Sequence, residues 1–301
     1  MPVTVGSAQV ERIEEQHIPV SFSLLAPAPG LEPGGPGAGV DGDRDSADPA
    51  AGHHPVGDAT FQFSNHSWLV RADGLTVLVD PCNGNGRQRQ VPFFNDLNLP
   101  WLDRLKAAGA APEDVDIVFC THLHSDHCGW NTTRVGERWG PTFPRAQYLF
   151  VEAEYRRWDP ANPHANQYNE SVFDECVRPV VAAGQARIVT PPFAVSGSLT
   201  IETAPGHTAG HALLRLESTS ERAYFTGDAF HHPVQVERPE LCLPGCDDPA
   251  QAVATRRALL SRLYREGAYL FPAHFAAPHH GRVQRQDVGF RFVPAAAGLL
   301  A

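Results

Sequence analysis

The chain has 301 residues, of which 42% are apolar, so it can bury a sizeable core, and a single domain over residues 1–301 is expected. A formal net charge of -10 argues against nucleic acid as a main partner, because phosphate binding calls for a basic surface. No apolar run approaches bilayer length and Met1–Gly6 lacks signal-peptide character, so no membrane partner and a cytoplasmic location are expected.

In chain order, Ala8–Ile13 and Ile18–Phe22 read as a first strand or two. Residues 26–58 are rich in Pro, Gly, Ala and Asp and nearly devoid of large apolar side chains. They cannot bury enough surface to offset their ordering entropy, and they read as a flexible insertion. Phe61–Val70 and Leu75–Val79 flank Ala72-Asp73-Gly74 and predict a β-hairpin, with Asp80 at its end. Asn83-Gly84-Asn85-Gly86 is a turn cluster, not a phosphate-binding loop. Leu99–Ala108 predicts a helix stopped by Gly109, and Pro112-Glu113-Asp114 leads into the apolar run Val115–Cys120.

That run opens onto Thr121-His122-Leu123-His124-Ser125-Asp126-His127, three imidazoles and a carboxylate within six positions. These are the nitrogen and oxygen donors that zinc and similar divalent cations take. Residues 130–146 predict a long loop carrying Trp130, Trp139 and Phe143. Glu152–Asp159 and Tyr168–Ala183 predict helices. Leu199–Thr203 is strand-like and leads to Ala204-Pro205-Gly206-His207-Thr208-Ala209-Gly210-His211. Tyr224-Phe225-Thr226-Gly227 ends in Asp228, and Tyr269-Leu270-Phe271-Pro272-Ala273 ends in His274. Asp248–Glu266 predicts a helix with Val253, Leu260 and Leu263 on one face, Arg256, Arg257 and Arg265 mostly elsewhere, and Gly267 as its stop. Four times a short apolar run ends in a ligand-type residue, the pattern by which loops at one edge of a sheet framework gather a metal site.

HxHxDH, GHTxGH, GD and a late His, in this order, resemble the metallo-β-lactamase fold superfamily over about Phe61 to Arg285. The resemblance implies an α/β fold, a four-layer αββα sandwich with a dinuclear metal centre at one edge. It implies that His122, His124 and His207 bind one cation, that Asp126, His127 and His274 bind another, and that Asp228 bridges them. It also implies that Asp80 orients the ligand loop and that His211 supports its own loop without binding metal. Two divalent ions about 3.5–4 Å apart can share a water and lower its pKa towards neutrality. Zinc is the first expectation, with manganese, cobalt or iron as alternatives.

Within the superfamily, the ligand order looks most like the N-acyl homoserine lactone lactonases and the larger group that includes methyl parathion hydrolase-like enzymes. The expected activity is a hydrolase that opens a lactone or ester through a metal-bridging hydroxide, with a small-molecule substrate and homodimer formation as an option. Phosphotriester or thioester hydrolysis and an iron-dependent persulfide dioxygenase-type oxidation are the alternatives. Asp126 and Asp228 are the expected catalytic carboxylates. His231 stands where those lactonases usually carry a Tyr, and reads either as a proton donor to a leaving alkoxide or as a solvated loop residue.

Trp130, Trp139, Phe143 and Phe230 read as core or as pocket lining. Cys128 reads as a packing residue. Cys242 and Cys246 read as free thiols, with a disulfide or weak metal pair as the alternative. His279 and His280 read as loop positions, and His17, His53, His54 and His164 carry no expected role.

Overall fold

The computed structural model describes residues 2–30, 59–163 and 170–295. Two seven-stranded sheets dominate it, each assembled in chain order. The first contains β1 (Val3–Val5), β2 (Ala8–Ser21), β3 (Thr60–Ala72), β4 (Leu75–Val79), β5 (Ile117–Phe119), β6 (Gln147–Val151) and β7 (Ala186–Val189). The second contains β8 (Phe193–Ala194), β9 (Leu199–Thr203), β10 (Ala212–Ser218), β11 (Glu221–Gly227), β12 (Tyr269–Pro272), β13 (Gly281–Arg285) and β14 (Phe290–Pro294). The pairs β4–β5, β5–β6, β6–β7 and β11–β12 are parallel.

The layering follows from strand periodicity. Alternate residues of one strand face opposite sides, and here both sides are apolar. Trp68, Val70, Val77, Val79, Phe119, Leu149 and Val151 point to a core shared with Leu214, Leu216, Ala223, Phe225 and Phe271 of the second sheet. Their neighbours Leu69, Leu78, Val118, Tyr148 and Phe150 point outward to a second core with Trp101 and Leu105 of α1 (Trp101–Ala107) and with Val172, Phe173, Val177 and Val180. On the other side, Leu213, Tyr224 and Leu270 pack under Leu259, Leu260 and Leu263 of the long helix Pro249–Glu266. The result is the αββα sandwich expected from the sequence.

Most elements match their expected spans, and the departures have physical causes. The first two expected strands are one continuous strand, β2. Its charged middle does not break it, because a register shift between Glu14 and Gln16 turns Glu15 inward. Glu15 accepts hydrogen bonds there from Asn83 N and Nδ2, Gly84 N and Trp130 Nε1. The β3–β4 hairpin turns at Asp73 and Gly74, both at positive φ. The 130–146 loop contains a two-stranded ribbon, Thr132–Val135 with Arg138–Pro141.

Of the expected helix Tyr168–Ala183, residues from Glu170 on are described. Its Phe173–Val177 turn is a π-helical bulge, which suits a following Pro179 that lacks an N–H. Of the 26–58 insertion, Ala26–Pro27 pair with Leu241–Cys242, and residues 31–58 lie outside the described residues, as do His53, His54 and His164. The long helix starts at Asp248, whose side chain accepts from Gln251 N, and ends at left-handed Gly267. Arg256, expected mostly off its buried face, is fully buried instead; its guanidinium donates to the carbonyls of Ala229, Pro239 and Leu241. No helix among the described residues is long and apolar enough to cross a membrane.

Candidate metal centre

The ends of four strands build the site. After β5 the chain turns through Cys120 and Thr121 into His122, and the short helix α2 (Ser125–Cys128) carries Asp126 and His127. Asp80, at the end of β4 and at positive φ, fixes this turn. Its carboxylate accepts from Thr121 N at 2.7 Å and Thr121 Oγ1 at 2.9 Å, and lies 3.0 Å from His127 Nδ1. The loops after β9, β11 and β12 bring His207, Asp228 and His274 to the same edge.

All seven expected ligands converge, in two groups: His122, His124, His207 and Asp228, and Asp126, His127 and His274. Within each group the donor atoms lie within 4.8 Å of one another. Asp228 faces both. Its Oδ2 lies 3.1 Å from His207 Nε2 and 3.7 Å from His122 Nε2, and its Oδ1 lies 2.9 Å from His274 Nε2 and 3.2 Å from His127 Nε2.

The donor chemistry fits cations. His274 Nδ1 donates to Ser64 O, and His127 Nδ1 faces the Asp80 carboxylate, so each ring turns Nε2 inward. The two Nε2 atoms meet at 3.1 Å, where only positive charge between them relieves the contact of lone pairs. Burial opposes a charge on His127. The carboxylates of Asp228, Asp126 and Asp80 outweigh it and hold that imidazole well above its ordinary pKa. In the other group, His124 Nδ1 lies 3.0 Å from both His122 Nε2 and His207 Nε2, and a single N–H can serve only one of them. Burial, reinforced by neighbouring imidazoles, keeps His122 and His124 well below the usual histidine range and therefore in the ligand-competent neutral form.

The supporting groups are buried polar side chains. His211 is committed on both ring nitrogens: Nδ1 donates to Ala204 O at 2.9 Å and Nε2 accepts from Asp228 N at 3.1 Å. It therefore holds the Asp228 backbone and has no nitrogen left for a cation. Glu154, in α3 (Glu152–Trp158), is fully buried and ties two ligand loops together. It accepts from Leu123 N, from Thr208 Oγ1 at 2.6 Å, from Gly210 N and from Trp158 Nε1. Neither Glu154 nor Glu15 stood out in the sequence. An acid in an ordinary helix or strand gives no local sign that distant backbone N–H groups will surround it.

A cavity of about 420 Å³ opens beside the centre, reached by the partly exposed edges of His124 and Asp126 and walled by Phe63, Phe94, His231, Leu243, Pro244 and Gly245. Of the two readings open for these aromatic residues, core holds for Trp130, Phe143 and Phe230, which are buried in the packed cores, and Trp139 lies under the Arg87 guanidinium, so none of the four lines the cavity. Their place is taken by Phe63, stacked on His274 with ring centroids 3.8 Å apart, and by Phe94 and Leu243.

His231 is not a solvated loop residue. It is buried, parallel to His274, with Nε2 3.2 Å from Asp228 Oδ2. Burial pushes its pKa down to about 4, so it is neutral at pH 7 and donates through Nε2–H, not as a charged acid. Cys128 is buried, and its thiol donates to His124 O, in keeping with a packing role.

An N-acyl homoserine lactonase of Bacillus cereus is 29% identical over 114 residues, which are 38% of this chain and 38% of that protein. The chain thus matches less than two thirds of that relative's length. Among solved structures, a hydrolase of the beta lactamase superfamily, AbOPH, superposes with a TM-score of 0.75 at 22% identity, covering 98% of this chain and 96% of the other. AidC, a dizinc quorum-quenching lactonase solved with the product N-hexnoyl-L-homoserine, also gives 0.75, at 17% identity, covering 98% and 97%. The sequence pattern of the metallo-beta-lactamase superfamily matches residues 60–274, well over half of the chain and every residue of both donor groups, and the protein belongs to that superfamily.

Proposed function

We propose that this protein is a dinuclear metal-dependent hydrolase that opens a lactone or ester of a small acyl-bearing molecule. The observation that carries this reading is the position of Asp228, with one carboxylate oxygen turned to each histidine group. A lone mononuclear site needs no such bridge. His122, His124 and His207 would hold one cation and Asp126, His127 and His274 the other. Bound there, a cation pair supplies a water of lowered pKa as nucleophile and a Lewis acid for the carbonyl oxygen.

The chain's own residues do the rest. Phe63, Phe94 and Leu243 offer an apolar wall to an acyl group, and they exclude water from one side of the reacting carbonyl. His231 presents a neutral N–H donor beside Asp228, where oxyanion or leaving-group charge develops. The sequence similarity to a lactonase over part of the chain supports a lactone over the phosphotriester or thioester alternatives.

A panel of acyl-homoserine lactones, aryl esters, phosphotriesters and a glutathione thioester, run on protein with measured metal content, tests the reading. About two zinc, manganese or cobalt ions per chain with lactone turnover are expected. One iron per chain with oxygen uptake would replace the reading with the oxidoreductase alternative. Asp228→Ala is expected to lower both metal content and turnover, and an Asp228→Ala protein that is fully loaded and as active as wild type would remove the bridging assignment.

A further inference from the structure

Each oxygen of the buried Glu154 carboxylate accepts from two donors. Oε1 takes Leu123 N at 2.9 Å and Trp158 Nε1, and Oε2 takes Thr208 Oγ1 at 2.6 Å and Gly210 N at 3.2 Å. Leu123 stands between His122 and His124, and Thr208 follows His207. One oxygen therefore serves the loop after β5 and the other the loop after β9, which leave different sheets. A single side chain thus spans the seam beside three ligands of one donor group.

The rest of α3 presses on the same three ligands. The Trp158 ring stands edge-on to His124 with centroids 5.3 Å apart, so its bond to Glu154 steadies the surface behind that ligand. A Cβ on Gly210 would meet Glu154 N at 2.1 Å, which shows how closely the second loop lies on the helix. Arg157 pairs with Asp247 at 3.0 Å. Asp247 in turn accepts from Ala209 N and donates its own N–H to His207 O. The other donor group has its supports elsewhere: His127 Nδ1 faces Asp80, and His274 Nδ1 donates to Ser64 O.

We propose that Glu154 is the positioning residue of one cation site only. It sets the approach of the 122–124 loop to the 207–210 loop, and so governs retention of the cation held by His122, His124 and His207, apart from the cation held by Asp126, His127 and His274. This assignment rests on the dinuclear reading. Glu154→Gln probes it at constant volume. Leu123, Trp158 and Gly210 offer N–H groups that donate and cannot accept, and they flank both oxygens. In either flip the new NH2 group opposes at least one of them, so one loop must draw back.

The experiment strips zinc-loaded full-length protein with graded chelator, counts the zinc retained, and follows the histidine ring nitrogens by NMR. In Glu154→Gln, one zinc is expected to bind ~10–100-fold more weakly than in the wild type. The ring signals of His122, His124 and His207 are expected to revert with it, while those of His127 and His274 keep their bound positions. Thr208→Val removes one donor at nearly constant shape, and is expected to weaken the same zinc by a smaller factor.

Unchanged zinc affinity in Glu154→Gln overturns the proposal. Parallel weakening of both zinc ions, with all five rings reverting together, also overturns it and makes Glu154 a general support of the fold. Should Glu154→Gln fail to fold, Thr208→Val decides by the same two criteria. Wild-type protein that saturates at one zinc defeats the dinuclear reading, while the response of His122, His124 and His207 to Glu154→Gln still judges the positioning role.

Discussion

Single side chains in this protein act through what they hold still. Asp80 contacts the centre only through Thr121 and His127, yet it sets the turn from which four of the expected ligands project. Asp80→Asn keeps the shape and removes the charge facing His127 Nδ1. It is expected to weaken metal affinity by ~10–100-fold, read by competition with a chromophoric chelator, with little change in secondary structure. Unchanged affinity would reduce Asp80 to a packing residue. His231 offers a contrasting prediction: His231→Ala removes a donor from the place where charge develops and leaves all seven metal donors intact. Metal content is expected to persist while kcat falls by ~10²–10³-fold, and equal losses in both would assign His231 to metal retention instead.

Strand ends and their connecting loops determine how closely the ligands can approach. Gly227 ends β11 at a φ of +47°, and a Cβ there would meet Thr121 Oγ1 at 2.4 Å and His211 Nε2 at 2.9 Å. Gly227→Ala is therefore expected to cost about 1 kcal/mol or more, seen as a lower denaturation midpoint together with reduced metal retention. A variant with wild-type stability would show that the loop relaxes freely.

At this scale the sequence was a good guide wherever chemistry and period were local. HxHxDH, GHTxGH, GD and the late His each lie within a few residues of a strand end, and the strands themselves read correctly because their apolar runs are short and bounded by turn residues. What escaped was non-local. The inward turn of Glu15 depends on a bulge and on donors from Asn83, Gly84 and Trp130, so a polar stretch looked like a break between strands. The cavity wall comes from Phe63, Phe94 and Leu243, far apart in the chain, whereas the aromatic residues clustered near the metal loop went into the cores.

Across the whole molecule, strands and helices alternating along the chain made a layered α/β domain legible, the four-layer order itself followed from the family resemblance, and the partition of neighbouring residues between inner and outer cores explains why near-continuous apolar strands suit it. A cation pair that binds only the native arrangement stabilises it by mass action, about 2.7 kcal/mol at a free metal concentration of 100 Kd. Chelation is therefore expected to lower the melting temperature by several degrees, and stoichiometric divalent metal is expected to restore it. A melting curve indifferent to chelator would argue against a preformed site.

The two sheets divide the chain in sequence order, with only Thr190, Pro191 and Pro192 between β7 and β8. His122, His124, Asp126 and His127 belong to the first half, and His207, Asp228 and His274 to the second. Neither donor group is complete within one half. Bound cations would thus serve as a clasp across the seam, so any slippage of one half against the other would be felt first as lost metal, before either sheet had come apart.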